Sequence, residues 1–195
     1  MVLFYMDTLK LFIGAPSFGK TTLLCDCYES LSKSKKCCII YSPCEKEIEI
    51  SNEVYQMYPI QLEIPKIITI EYLNSIHAEI ILIDEVQNRS KEEINTLIRY
   101  ADKNNIQVLL FGTMFDVYGH IIPVMQYILE SGIPFELIKR KCCKCGCTAF
   151  NTLHIDKNNN VLLSPSNKDE YEILIVCRKC YNKYMRKLKS EQFII

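Results

Sequence analysis

One stretch constrains this chain more than any other. "GAPSFGKTT", residues 14 to 22, follows the apolar run LKLFI (9–13) and precedes a segment whose apolar residues recur with a 3.6-residue period. Gly, four residues, Gly, Lys, Thr is the phosphate-loop pattern, and it sits in the strand–loop–helix context the pattern needs. Gly14 and Gly19 let the backbone turn its N–H groups inward, Lys20 brings a cation, and the Thr21 hydroxyl can ligate Mg²⁺. The helix that starts there adds its positive end, so the stretch reads as a cradle for nucleotide phosphates. It does not say whether the phosphate is hydrolysed, transferred or merely held.

Downstream, strand-like and helix-like runs alternate to about residue 138. CCIIY (37–41), KIITI (66–70), EIILID (79–84), VLLFG (108–112) and FELIK (135–139) read as strands. Helices are expected over 20–33, after Ser90 and over 122–132, the second opened by a Ser90/Glu93 capping box. This predicts an α/β fold: a phosphate-loop domain over 1–140, its mostly parallel sheet covered by helices on both faces. Residues 43–65, with three prolines and no clear period, are expected to form a long connection.

The strand ILID ends at Asp84-Glu85. In an open α/β sheet the carboxyl ends of the strands face the ligand crevice. Asp84 suits a Mg²⁺ contact, and Glu85 suits a base that takes a proton from an attacking oxygen. That oxygen can belong to water or to a substrate hydroxyl, so an ATPase and a small-molecule kinase both fit here.

Composition narrows the class. The chain has 23 basic and 23 acidic residues and a formal net charge of zero, which disfavours nucleic acid as a partner. It has no apolar run of membrane-spanning length, so no membrane partner is expected. The segment MVLFYMDTLKLFIG has neither a basic flank nor a cleavage site and reads as strand. Eleven cysteines without an export signal point to a reducing compartment, the cytoplasm, with thiols or metal ligands favoured over disulfides. Five of them (Cys25, Cys27, Cys37, Cys38, Cys44) are expected as small apolar core residues. Six lie between 142 and 180. Cys142-x2-Cys145 and Cys177-x2-Cys180 have the spacing of a four-thiolate Zn²⁺ site, with 31 residues looped between the pairs. Cys143 or Cys147 as substitute ligands, free thiols, and a redox site are the alternatives. The surrounding Lys and Arg residues are read as offsetting thiolate charge. Residues 141–195 are therefore expected to form a zinc-binding module with a basic tail, and DKNNN (156–160) a hairpin turn.

In order and spacing, the phosphate loop, "IDEVQN" (83–88), "FGTMFDVYG" (111–119) and "VCRKCY" (176–181) resemble the zinc-containing thymidine kinases of cells and viruses. The resemblance spans residues 9 to 184. It implies that ATP and Mg²⁺ contact Gly14, Ala15, Pro16, Ser17, Phe18, Gly19, Lys20, Thr21 and Thr22, with Asp84 and Gln87. Glu85 would be the catalytic base toward a nucleoside 5′-hydroxyl. Phe115, Tyr118 and Tyr171 would help enclose the nucleoside, Cys142, Cys145, Cys177 and Cys180 would hold a structural Zn²⁺, and the protein would be a homotetramer. The chain departs from the family pattern in several places. No Arg lies between residues 24 and 88, where the family carries one in a DTRY-like element. Ser164-Pro165 stands where the family has Gly-Gly, Asn88 replaces an aromatic, and Ile173 occupies the position of the family's tyrosine, with Tyr171 two residues earlier. A P-loop ATPase and a non-catalytic nucleotide-binding relative are the rival readings.

Overall fold

The computed structural model describes residues 8–42, 62–116, 118–163 and 171–192. Most of the expected connection 43–65, with Cys44, lies outside them, as does Ser164-Pro165.

Six strands form one sheet: β1 (Leu9–Ile13), β2 (Cys37–Tyr41), β3 (Leu62–Glu63), β4 (Ile80–Asp84), β5 (Gln107–Gly112) and β6 (Phe135–Leu137). Their order is β3-β2-β4-β5-β1-β6, and every pairing is parallel. Both faces of the central strands are covered, so β1, β2, β4 and β5 are near-continuous apolar runs and not alternating ones, while the edge strands β3 and β6 carry Glu63 and Glu136. In β4, Ile81 and Ile83 face one core and Ile80 and Leu82 the other, all fully buried. The first core is closed by α2 (Ile70–Ile76), α3 (Lys91–Asn104) and α4 (Pro123–Glu130), through Leu73, Ile94, Leu97, Met125 and Ile128. The second lies under α1 (Lys20–Leu31), where Leu24 and Cys25 pack against Phe12, Ile39 and Phe111. Phe12 and Phe111 stack with centroids 4.8 Å apart. Each such buried side chain contributes roughly 1.5–3 kcal/mol of transfer free energy.

Cys25, Cys37 and Cys38 belong to these cores, with Cys27 packed against the second. Burial pushes the thiols of Cys25, Cys27 and Cys37 up to about 11 and that of Cys38 to about 12. They stay protonated at neutral pH and act as small apolar residues.

One expected strand is a different element. KIITI (66–70) is not in the sheet; the edge strand is the shorter Leu62–Glu63, and Ile70 opens helix α2. One local and one long-range interaction outcompete the β-propensity of the run. The Thr69 hydroxyl accepts from Tyr72 N–H at 3.2 Å and caps α2, and Glu93 accepts from Ile68 N–H at 2.9 Å while Ile68 itself is buried. Glu93 also completes the expected capping box with Ser90 and pairs with Arg89 at 3.2 Å.

Beyond the sheet, β7 (Arg140–Lys141) and β8 (Thr148–Ala149) form a hairpin. A three-stranded antiparallel sheet follows, β10-β9-β11, from β9 (Asn151–Ile155), β10 (Val161–Leu162) and β11 (Glu172–Val176). The turn at 156–160 lies where the sequence placed it, with Asp156 accepting from Asn158 and Asn160 N–H, each at 2.8 Å. The basic stretch after Cys177 is a helix, α5 (Arg178–Gln192). Leu153, Ile155, Leu174 and Val176 form a third core, and it includes one residue from the phosphate loop, Phe18.

Glu93 has a pH consequence. Burial works to raise its carboxyl, but hydrogen bonds from Ser90 and Ile68 N–H and the charge of Arg89 outweigh it and hold the group below its usual 4.5. A depressed carboxylate stabilises the fold above the unfolded-state pKa, and that contribution fades as pH falls through the folded one. Glu93→Gln should therefore cost about 2 kcal/mol at pH 7, and the gap to wild type should close below about pH 4.5. Denaturant melts at both pH values check this; a gap that stays constant with pH would contradict it.

Candidate active site

β1 and β5 run in register, Leu9 to Ile13 beside Val108 to Gly112, so the loops that follow them emerge side by side. Gly14 N–H donates to Gly112 O at 3.1 Å. From there the chain turns through Pro16 and Ser17, which are exposed, Ser17 at φ 63°, to Gly19 at φ 81°. Gly19 precedes α1, where a left-handed residue reverses the chain so that the helix N-terminus faces the loop. Lys20 is buried, its Nζ donating to Thr113 Oγ1 at 3.0 Å and to Ala15 O at 3.4 Å. Thr22 is exposed on the first turn of α1.

The strand end at β4 meets this loop. Thr21 Oγ1 donates to Asp84 Oδ2 at 2.8 Å, and the other Asp84 oxygen accepts from Glu85 N–H at 3.0 Å. The two oxygens expected to serve Mg²⁺ are thus adjacent, and a hydroxyl beside a carboxylate suits that hard cation. Glu85 is in the left-handed region at φ 53°, a costly conformation for a residue with a Cβ. Its carboxylate lies 3.8 Å from Lys20 Nζ and accepts a hydrogen bond from Gln87 Nε2. Gln87 Oε1 in turn accepts from Thr113 N–H at 3.0 Å. Lys20, Thr21, Asp84, Glu85 and Gln87 therefore converge on one place. Thr113, which ties three of these segments together, was not singled out from sequence; only its place after β5 could have indicated it.

Beside this cluster lies a cavity of about 620 Å³, a size that suits a small organic ligand. Its wall combines Gly14, Ala15, Pro16 and Phe18 with Thr113 to Asp116, residues 150–154 and 161–163, and Arg178, Tyr181 and Asn182 of α5. Phe115 is on this wall. Tyr118 is not; it is 56% exposed on a turn that the Asp116 carboxylate caps through Tyr118 and His120 N–H. Tyr171 packs edge-on against His154, which does line the cavity, with ring centroids 4.6 Å apart. Burial lowers the His154 pKa, which favours the neutral form of its ring. His154 and Asn182 are polar wall residues outside every motif in the sequence, and Arg178 lies within VCRKCY without having been singled out.

The sulfur atoms of Cys142, Cys145, Cys177 and Cys180 all lie within 4.8 Å of one another, with Cys145 3.5 Å from Cys177 and 3.7 Å from Cys180. A tetrahedral Zn²⁺ with bonds of about 2.3 Å places its sulfurs about 3.8 Å apart, so the donor set fits zinc. Cys143 and Cys147 are exposed and outside the group. Contacts among the sulfurs split the set. Burial acts to raise Cys142, but hydrogen bonding from Cys177, Lys144 and Cys145 lowers it, and Cys177 is lowered too. Cys145 and Cys180 are raised, so a bound cation would be what lets all four ionise together. Among the described residues no helix is long and apolar enough to cross a membrane.

Fold and site together define a phosphate-loop α/β nucleotide-binding protein with a cysteine-pinned module closing one side of its ligand cavity. More particularly, the chain belongs to the thymidine kinase family, whose model matches residues 7–181. Thymidine kinase of Idiomarina loihiensis is 31% identical over 111 residues, 54% of this chain and 55% of that protein. That of Legionella pneumophila (strain Paris) is 33% identical over 84 residues, 43% and 39%. The enzyme of Chromobacterium violaceum is 30% identical over 105 residues, 52% and 56%. The matches span roughly half the length of these curated relatives.

Gly112 is the backbone constraint beneath this cluster. A Cβ there would lie 2.7 Å from Val86 Cγ1 and 3.0 Å from Gln87 Oε1. Gly112→Ala should cost about 2 kcal/mol through overpacking and displace Gln87 from Thr113. A lowered Tm together with weakened nucleotide binding is the expected result; a neutral variant would show that the Gln87 contact is dispensable.

Proposed function

We propose that the protein is a deoxynucleoside kinase that transfers the γ-phosphate of ATP to the 5′-hydroxyl of thymidine or a close relative. The observation that carries this reading is Glu85. It is a strained carboxylate one residue beyond the Asp84–Thr21 pair, oriented by Gln87 and within 3.8 Å of Lys20. Hydrolysis needs only a water beside such a carboxylate. The adjacent cavity, about 620 Å³ and walled mainly by apolar side chains with a few polar ones, favours an organic acceptor.

In this reading the triphosphate lies on residues 14 to 22, with Lys20 and the start of α1 meeting its charge. Thr21 and Asp84 would hold Mg²⁺, which would supply charge neutralisation to the phosphates. Glu85 accepts the proton of the 5′-hydroxyl as its oxygen forms the new bond to the γ-phosphorus and the bond to the leaving ADP oxygen breaks. Gln87 keeps the Glu85 carboxylate aimed, and Thr113 holds Lys20. Phe115 flanks the base, while Tyr118 and Tyr171 belong to the segments that cover it. A Zn²⁺ on Cys142, Cys145, Cys177 and Cys180 holds the wall of the cavity and takes no part in the chemistry. A homotetramer in the cytoplasm completes the reading.

Labelled ATP with a panel of deoxynucleosides tests the assignment. Label in a nucleoside monophosphate supports it, and free phosphate formed without an acceptor would replace it with an ATPase. Glu85→Gln should lower kcat by about 10²–10⁴ with intact ATP binding. An unchanged kcat would remove Glu85 from the reaction. Metal analysis should find one zinc per chain, and chelation should lower the Tm; a metal-free protein with the same Tm would refute the structural role of the cysteines.

A further inference from the structure

The resemblance implies an arginine beside the phosphates, yet no Arg lies between residues 24 and 88 of this chain. Arg89, the buried arginine of the sheet domain, does not replace it. Its guanidinium is taken up by Ser42 Oγ at 2.7 Å, the carbonyls of Pro65 and Tyr41 at 3.1 and 3.2 Å, and Glu93 at 3.2 Å. Those contacts brace the end of β2 and leave the side chain committed to the fold.

A different arginine reaches the phosphate loop, from the cysteine module. Arg140 opens β7, opposite Ala149 in the hairpin and two residues before Cys142. Its side chain does not turn toward the thiols. Nε donates to Phe18 O at 3.1 Å, and Nη2 lies 2.7 Å from the point a Cβ would occupy on Gly19. Among the described residues no carboxylate pairs with it. The guanidinium is thus held by one nitrogen on the loop backbone, and Nη2 lies against the last loop residue before α1. That is the positive end of a 12-residue helix, next to Lys20. A second cation there is unfavourable unless an anion shares the space.

We propose that Arg140 is a phosphate-binding residue, supplying from the cysteine module the second cation that the chain lacks in its family position. The inference rests on the reading that the loop holds ATP. A guanidinium fork matches phosphate oxygens in a way an ammonium does not. The Phe18 carbonyl fixes the fork, and the Phe18 ring is buried in the module's own core, so module and loop position Arg140 together.

The test uses the zinc-loaded full chain and titrates ATP by calorimetry into wild type, Arg140→Ala and Arg140→Lys, with Tm recorded for each unliganded protein. Loss of one charge-assisted contact predicts an ATP affinity about tenfold weaker in Arg140→Ala. Arg140→Lys should recover part of it. Both unliganded Tm values should stay close to wild type, because the side chain is exposed. ATP affinity unchanged within about twofold would overturn the role of Arg140 while leaving the loop as the nucleotide site. A loss that tracks a falling Tm, with lysine as poor as alanine, would overturn it in favour of a purely structural contact. A wild-type protein that binds no ATP would overturn both this inference and the kinase reading.

Discussion

The burial of Phe18 is the contact on which the arrangement of the site depends. A phosphate-binding loop needs its N–H groups held in place, yet its glycines give the backbone freedom to lose. Here the fifth residue of the loop is almost wholly inaccessible, at 1% exposure, and its ring sits among Cys142, Ala149, Leu153, Ile155 and Val176. The loop is thereby fastened to a second body, not only to the strand and helix on either side of it. Gly14 tightens the joint: a Cβ there would meet Phe18 Cβ at 3.2 Å and Ile138 Cβ at 3.3 Å. The cavity forms where these two bodies meet, and its wall draws on both.

This joint explains how a four-cysteine cluster can matter to phosphate chemistry without touching it. Cys142 and Cys177 are themselves buried in the core that receives Phe18. Without a metal, four thiols packed this closely would face like-charge repulsion as they ionise, and the β7–β8 hairpin would lose its anchor. The Phe18 ring would then lose the packing that holds it. Electrostatic preorganisation is worth most when its donors do not have to rearrange, so a loop held from outside is better suited to catalysis than one held only by its flanks.

Much of the fold was legible because its physics is local. β2 is an unbroken apolar run and β1, β4 and β5 are nearly so, the pattern of strands buried on both faces, and Ser90 with Glu93 announces α3 through its own cap. KIITI has the same β-branched character as those strands, but its outcome was settled by Thr69 capping α2 and by a carboxylate 25 residues away in sequence. Helix α5 has a polar, basic composition, and its fold shows mainly in the residues it turns inward, Tyr181, Tyr184 and Met185. In the site, the residues tied to backbone geometry (the phosphate loop, Asp84, Glu85, the paired cysteines) could be read from spacing. Thr113, His154, Asn182 and Arg140 could not, since each acquires its role from a tertiary approach that no spacing encodes.

In the structure, Glu85 shares its charge with Lys20 while Gln87 holds it from the other side. Lys20 is buried and its other partners are neutral oxygens, so Glu85 provides its charge balance. A triphosphate arriving on the loop offers Lys20 a far stronger anion. In the proposed reaction that competition draws the ammonium toward the phosphates and leaves Glu85 directed by Gln87 alone. Glu85 is then free to face the acceptor hydroxyl, held by its backbone and by Gln87. The same pair of side chains thus links the place where the phosphoryl donor binds to the carboxylate that meets the acceptor, through one contact of 3.8 Å.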